Sequence, residues 1–444
     1  MFTRALFLCL GWFIVSITAA LIWGRQVKQA NLFLSLLWLL VVLALGDAWA
    51  VLTFGVPLEM AWLTVIALAN GLVWITTLRG WNPLGKTAWS MTFLTTLAFI
   101  VYSFNVTAFT PMNPLSFVLA IVFFLIESLA LLLGLSHAFE SLEVITRARW
   151  RRAVPPFTPD PAYHPKVSLQ VPTYNEPPEV VAQTLETLAR LDYPNYEVLV
   201  VDNNTPDEAT WRAVEAVCRR LGPRFRILHL DKWPGFKSGA LNFALTQTAP
   251  DAEIIGVVDA DYQIEPNFLK EIVPAFQDPR VAFVQTPQDY REARKNSFNE
   301  IIYHGYKYFF EVSMPVRNEH NAIIFCGTMG LLRRSVLEEI GGWDEWCITE
   351  DAEASLRILK RGYTSLYIHK TYGKGLMPFS FDGLKKQRFR WGFGGIQILR
   401  KHWEALMPWS RDVDPNNHLT GMQKYYYLLG GLQWFTDVFN LLFS

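Results

Sequence analysis

The chain has 444 residues, 51% of them hydrophobic and 14% aromatic, which makes it too long for one average domain and too apolar for an ordinary cytosolic protein. Its 40 basic and 40 acidic residues cancel, which removes any global electrostatic case for a nucleic-acid partner. The four cysteines, Cys9, Cys218, Cys326 and Cys347, show neither the close pairing of a zinc site nor the density of a disulfide scaffold, so they read as thiols of a reducing compartment.

Nearly all long uncharged runs precede residue 140, and five of them, 5–24, 31–54, 58–78, 88–109 and 115–138, reach the about 20 apolar residues that cross a hydrocarbon core. Arg25 and Lys28 lie between the first two runs, Arg79 and Lys86 between the third and fourth, and Arg147, Arg149, Arg151 and Arg152 follow the fifth. The loops Gly55–Pro57 and Thr110–Pro114 carry no Lys or Arg, so the positive-inside rule places the basic loops and everything after them in the cytoplasm, with the N-terminus outside. An integral protein of the plasma (inner) membrane, in contact with its lipids, is the expectation. A cleaved signal peptide is the competing reading of the first run, with Arg4 as its basic head and Thr18–Ala20 as a cleavage region, but Ile22 and Trp23 continue the apolar stretch. Asp47, Glu59, Asn70 and Glu127 fall in or beside the runs and are candidates for an ion or sugar path.

The expected layout is a membrane region over 1–145, a basic Pro-rich linker over 146–165, a soluble domain over 166–378, an amphipathic interface segment over 379–420 and the start of a further membrane helix over 421–444. In the soluble domain Val167–Val171, Glu197–Val201, Phe225–Leu230 and Ile254–Val258 read as strands, and Glu179–Arg190, Asp207–Leu221 and Lys237–Thr246 as helices. That alternation predicts an α/β domain, a mainly parallel sheet with helices on both faces, attached to an α-helical membrane region. Ligands of such sheets bind beyond the carboxyl ends of the strands, where Pro172–Pro177, Asp202–Asn204 and Asp259–Asp261 fall. Neither a Gly-x-Gly-x-x-Gly turn after the first strand nor a Gly-Lys-Ser/Thr loop exists, which argues against a dinucleotide-binding oxidoreductase and a P-loop enzyme.

Asp259 and Asp261 flank an alanine just past a strand, so their carboxylates project the same way if the extended geometry continues, and such a pair suits Mg²⁺ completed by phosphate oxygens and water. Asp351 opens a helix running to Arg361, with Thr349 placed to cap it. Glu350 and Asp351 there either complement the helix dipole or supply a general base. Gln387, Arg388, Arg390 and Trp391 lie in a basic, aromatic segment from Phe379 to Trp409 whose composition also suits a membrane surface. Arginine forks pair with diphosphate oxygens and tryptophan offers a flat face to a sugar ring. Lys237 precedes a helix and is placed to reach a phosphate, while Asp202, Tyr174 and Glu176 suit a uracil ring and its ribose.

Val171-Pro172-Thr173-Tyr174-Asn175-Glu176-Pro177, Asp202, Asp259-Ala260-Asp261, Gln285-Thr286-Pro287, Phe325-Cys326-Gly327-Thr328, Thr349-Glu350-Asp351 and Gln387-Arg388-Phe389-Arg390-Trp391 occur in this order over about Lys166–His402. In this the chain resembles the processive family-2 glycosyltransferases, the cellulose-synthase-like group. The resemblance implies a GT-A fold, a UDP-sugar donor, a polysaccharide acceptor, inversion at the anomeric carbon and Mg²⁺ or Mn²⁺. By match to the family motifs it implies that Asp351 is the base, Asp261 with Asp259 the metal site, and Gln387, Arg388 and Trp391 the acceptor and diphosphate contacts, and that Phe325, Cys326, Gly327 and Glu350 line the substrate. Two departures bear on the product. Asp202-Asn203-Asn204 stands where cellulose synthases usually have two aspartates and a glycine, and Gln285–Arg291 with Asn321–Ile324 looks more like bacterial β-(1→3)-glucan synthases. A β-glucan made from UDP-glucose is therefore expected. Relatives continue with helices that line an export channel, so further C-terminal helices or another membrane subunit are expected to complete the path. Transfer of a single sugar to a lipid-linked acceptor is the alternative; a silent scaffold is disfavoured because the aspartate pair and the base are all present.

Overall fold

Asn31 and Asn82 each accept a hydrogen bond from a backbone amide of the helix that follows, and Pro83 and Pro114 stand in first turns, so local chemistry fixes where several apolar helices begin. In the computed structural model, which describes residues 2–55, 61–152, 162–407 and 414–435, these are α1 (Phe2–Trp23), α2 (Leu32–Phe54), α3 (Ala61–Thr77), α4 (Pro83–Phe109) and α5 (Pro114–Thr146). All but α3 are long and apolar enough to cross a membrane; α3 has 17 residues. Pro57, Glu59, linker residues 153–161, Trp409 and Phe443 lie outside the described residues. The described polar groups of the expected path serve as fasteners between helices. Trp12 Nε1 donates to Asp47 Oδ1 at 2.9 Å and Thr64 Oγ1 to Asp47 Oδ2 at 3.1 Å, which ties α1, α2 and α3 together. Asn70 donates to Ser90 Oγ at 2.7 Å, and Ser103 to Glu127 at 2.5 Å. The chain divides into two units, this one over Met1–Arg151 with Leu432–Ser444, and a second over Arg152–Gly431.

The second unit is built on β1 (Lys166–Thr173), α6 (Pro178–Leu188), β2 (Tyr196–Asn203), α7 (Glu208–Leu221), β3 (Phe225–Leu230), α8 (Phe236–Gln247) and β4 (Ala252–Val257). There follow β5 (Gln263–Ile264), α9 (Phe268–Ile272), β6 (Val281–Gln285), β7 (Asp289–Tyr290), α10 (Ser297–Tyr308), α11 (Met314–Glu319), β8 (Gly330–Arg333) and α12 (Arg334–Glu339). The last elements are α13 (Glu350–Lys360), β9 (Thr364–Tyr367), β10 (Gly373–Gly375), α14 (Phe381–Leu406) and α15 (Gly421–Leu432). The main sheet has the order β3-β2-β1-β4-β8-β6-β9; only β8 runs antiparallel to its neighbours, so the sheet is mixed but mostly parallel. Every residue of β2 is buried, as a sheet covered on both faces requires. Side chains of β4 alternate between two cores, Ile254 with Leu169 and Phe276 on one face and Ile255 with Phe283 and Leu332 on the other. A small sheet β5-β10-β7 caps the carboxyl edge. The first turns of the segment expected to begin a membrane helix pack inside this unit: Tyr426 is fully buried, and Gln423 donates to Asn321 O at 2.8 Å.

Candidate active site

Beyond Val257 the extended geometry does not continue. Tyr262 N donates to Asp259 O at 3.2 Å, so Asp259-Ala260-Asp261 forms a turn, and the common direction expected for the two carboxylates cannot come from strand alternation. Long-range contacts hold them instead. Thr328 Oγ1 accepts from Asp259 N at 3.0 Å, Leu376 N donates to Asp261 Oδ2 at 2.8 Å, and Arg291 donates to Asp261 O at 2.6 Å. The Asp261 carboxyl is raised above its ordinary range by burial and then by the charge of Asp259; Glu176, on the loop after β1, is raised by desolvation and then by Asp261 and Asp259. Each of these carboxyls thus feels the charge of Asp259.

Lys237, in the first turn of α8, joins Asp259 to the next element. Its Nζ lies 2.8 Å from Asp259 Oδ1 and donates to Gly327 O at 3.2 Å. Burial depresses its pKa, but Asp259, Glu350 and Asp351 more than offset this, so the lysine stays charged. Gly327 has φ of +71°, and a Cβ there would sit 2.6 Å from Asp351 Oδ2 and 3.5 Å from Lys237 Nζ. Asp259, Lys237, Gly327 and Asp351 thus meet although they lie far apart in sequence. Burial raises both Glu350 and Asp351; their neighbouring charges add to the rise and Lys237 opposes it.

Two expectations are corrected here. Thr349 occupies the position before α13 but its side chain makes no capping hydrogen bond, because it packs against α14: a Cβ on Gly394 would lie 2.2 Å from Thr349 Oγ1. Phe325 does not line the substrate with its ring, which is fully buried against Phe283 and Trp343. Cys326 is held by its backbone, with N donating to Gln285 Oε1 at 2.8 Å and O accepting from Gln288 at 2.8 Å, and Gly327 is the member of this motif that reaches the cluster.

Asp202 stands at the end of β2, almost fully buried. Thr205 and Thr173 hydroxyls donate to its Oδ1 at 2.6 and 3.2 Å, and His229 Nδ1 lies 2.7 Å from Oδ2. His229 in turn stacks on Trp211 at 4.3 Å. Tyr174, on the neighbouring loop, is 63% exposed and offers a free ring face. On α14, Gln387, Arg388 and Trp391 assemble on Tyr306 of α10: the tyrosine hydroxyl donates to Gln387 Oε1, and the Arg388 guanidinium lies 5.4 Å from the Tyr306 ring and 5.1 Å from the Trp391 ring. Arg390 is exposed and stands apart from that assembly. Tyr306, His229 and Trp211 lie outside the recurrent motifs and reach the site only through the fold. Arg291 closes the segment Gln285–Arg291, which the sequence marks by resemblance and without a role at the site.

A divalent cation fits this donor set. Asp259 and Asp261 are hard oxygen ligands whose mutual repulsion a cation would relieve, with Glu176 adjacent. Among the described residues no three His, Cys, Asp or Glu side chains converge on one point, so such an ion would need further ligands from phosphate and water.

Comparison with known proteins places this geometry. A family model described as glycosyltransferase like family 2 matches residues 164–394. Glucomannan 4-beta-mannosyltransferase 7 of Arabidopsis thaliana is 31% identical over 248 residues, covering 54% of this chain and 44% of that protein. The cellulose synthase catalytic subunit [UDP-forming] of Pseudomonas fluorescens is 31% identical over 249 residues, covering 54% of this chain and 32% of that protein. The chain therefore spans less than half the length of these curated relatives. Among solved structures, the mannosyltransferase PcManGT from Pyrobaculum calidifontis, in complex with GDP-Man and Mn²⁺, superposes with a TM-score of 0.50 at 22% identity, over 70% of this chain and 82% of that one. The likeness gives the fold: the second unit has the GT-A architecture expected from the sequence.

Proposed function

Because the chain belongs to glycosyltransferase family 2, as the match over 164–394 requires, we propose that it is a membrane-bound, inverting, processive transferase that adds glucose from UDP-glucose to the growing end of a β-glucan. The observation that carries this reading is the meeting of Asp259, Lys237, Gly327 and Asp351 in one cluster, with Gln387, Arg388 and Trp391 assembled on α14. The basic loops and the transferase unit are assigned to the cytoplasm, and the membrane to the plasma (inner) membrane.

Asp259 and Asp261 would hold the ion; when bound, it supplies positive charge to the departing diphosphate. Lys237, already charged between Asp259 and Gly327, and the Arg388 fork balance the phosphate oxygens. Tyr174 takes the nucleoside by ring stacking, and Asp202 fixes the shelf behind it through its bonds to His229, Thr173 and Thr205. The acceptor hydroxyl attacks the anomeric carbon from the side opposite the diphosphate. A new C–O bond forms, the bond to the diphosphate oxygen breaks, and the hydroxyl proton passes to the Asp351 carboxylate. Trp391 supplies a flat face for the acceptor sugar.

Donor and linkage are set by one assay. The detergent-solubilised protein is incubated with Mg²⁺ and, separately, UDP-glucose, UDP-N-acetylglucosamine or GDP-mannose, nucleotide release is followed, and the product is sized after linkage-specific digestion. The segments Gln285–Arg291 and Asn321–Ile324 carry the β-(1→3) expectation, whereas the names of the relatives speak for β-(1→4). A long product cut only by a β-(1→3)-glucanase supports the first. A product cut only by a β-(1→4)-mannanase with GDP-mannose replaces both sugar and linkage. Release with single-sugar products alone overturns processivity and leaves transfer to a lipid-linked acceptor.

A further inference from the structure

Two elements that the reaction must hold in register lie on different helices, Asp351 at the start of α13 and Gln387–Trp391 near the start of α14. We propose that Gln397 and Glu353 are positioning residues that lock the loop 344–349, α13 and α14 into one body, so that the proton-accepting carboxylate and the acceptor-holding side chains keep a fixed relation. The proposal rests on the transferase reading for its function and on geometry alone for the lock.

The first fastening is a side-chain amide on two backbone groups. Gln397 Oε1 accepts from Ile348 N at 3.0 Å and its Nε2 donates to Trp346 O at 2.9 Å. Of the loop's apolar side chains only Cys347 enters the core, packing with Leu356 of α13 and Ile398 of α14, while Trp346 is 50% and Ile348 45% exposed. One turn earlier on α14, Gly394 lets the helix backbone approach Thr349 within a distance that any side chain would block. One turn later, Lys401 Nζ lies 2.5 Å from Asp344 Oδ2. Gln387, Trp391, Gly394, Gln397 or Ile398, and Lys401 follow each other at steps of three or four, so one stripe of α14 joins the acceptor motif to the loop.

The second fastening is Glu353, fully buried on α13. Its Oε1 lies 2.8 Å from His402 Nε2 and 3.7 Å from Lys401 Nζ, and Arg357 Nε donates to its Oε2 at 2.6 Å. His402 leaves helical geometry (φ −110°, ψ 18°), and this kink stands where α14 meets Glu353. A buried carboxylate shared by cations from both helices is costly to separate, so α13 and α14 resist independent movement. None of these residues contributes to the Asp259–Lys237–Gly327–Asp351 cluster. Their effect runs through the loop 344–349 and the first turn of α13, which carries Asp351.

The test uses the full chain in detergent, as wild type, Gln397→Ala, Gln397→Glu and Glu353→Gln, and reads amide hydrogen exchange together with steady-state kinetics per folded molecule. In Gln397→Ala, exchange over 344–351 is expected to rise about fivefold or more while the strands β1–β4 are unchanged. kcat should fall about tenfold with the donor KM within about twofold, since a small misplacement of the base costs rate and not donor affinity. Gln397→Glu keeps the acceptor for Ile348 N and should restore part of both readouts. Glu353→Gln should raise exchange in α13 and the end of α14 together. If exchange in Gln397→Ala rises no more over 344–351 than elsewhere, or the rate loss equals the loss of folded protein, the lock is wrong. A wild type that releases no nucleotide with any donor, yet shows the localised exchange, supports the lock and overturns the transferase reading instead.

Discussion

The two halves of the transferase unit are built on opposite plans. From Lys166 to Val257 four strands pair in parallel with a helix after each of the first three, and most of the candidate side chains sit at strand ends, Tyr174 and Glu176 after β1 and Asp202 closing β2, with Lys237 opening α8 as the exception. From Asp259 to Leu406 the strands β8, β6 and β9 interleave out of chain order, and the site is made of turns and helix starts held by long-range hydrogen bonds. On the proposed function the difference matches a division of labour. A donor nucleotide would need a fixed shelf, which regular β-α-β geometry supplies, whereas an acceptor end would be met by groups brought together around it.

That division can be broken by mutation. If the second half does the chemistry, Asp351→Asn should lower kcat by about 10³-fold or more while nucleotide binding measured by titration is nearly unchanged; loss of binding would mean that the base is misassigned. Arg388→Ala removes a cation from the Tyr306–Trp391 assembly, and should cut turnover by about 10²-fold and shorten the product, read by sizing. If the first half is the shelf, Asp202→Asn should instead raise the donor KM about tenfold with kcat within about twofold, since a charged acceptor tied to His229, Thr173 and Thr205 becomes an amide. A kcat loss in Asp202→Asn as large as that in Asp351→Asn would erase the distinction.

The same contrast explains what could be read before the fold was known. Phe225–Leu230 is a strand over the expected residues, and β1, β2 and β4 differ from expectation by one or two residues at their ends, because apolar alternation is local information. The site motifs were legible as residue types in order, but their arrangement was not. Asp259 and Asp261 turn instead of continuing extended, Thr349 faces Gly394 instead of capping α13, and Phe325 belongs to the core. In each case a contact between residues far apart in sequence overrides a local preference. Tyr306 shows the limit most plainly: nothing around it marks it, and its partners Gln387 and Arg388 are some 80 positions away, as the 81-residue separation of the Tyr306–Gln387 bond records.

The smallest effect concerns pH, and it separates function from stability within the second half. Burial and the charge of Asp351 push Glu350 up to about 7, and Asp351 is raised as well, so the pair holds protons in the folded protein at pH values where an unfolded chain would have released them. A carboxyl whose folded pKa lies above its unfolded value contributes stability that is fully present below the unfolded pKa and is lost as pH rises through the folded one. Between pH 4.5 and 7 this pair therefore favours folding more as the solution becomes more acidic. On the proposed reading catalysis has the opposite sign, because an Asp351 that accepts the hydroxyl proton must be unprotonated. Lowering pH from 8 to 6 should reduce kcat while the transferase unit's unfolding temperature, in the part that Glu350→Gln abolishes, rises by about 2 °C. Rate and unfolding temperature that fell together over this range would show that the wild-type loss is unfolding and not protonation of the base. The opposed signs are what the proposed base must produce if it is buried beside a second carboxyl: the burial that raises Asp351, reinforced by the charge of Asp259, makes its carboxylate more basic and at the same time makes the ionised form costly to the folded state.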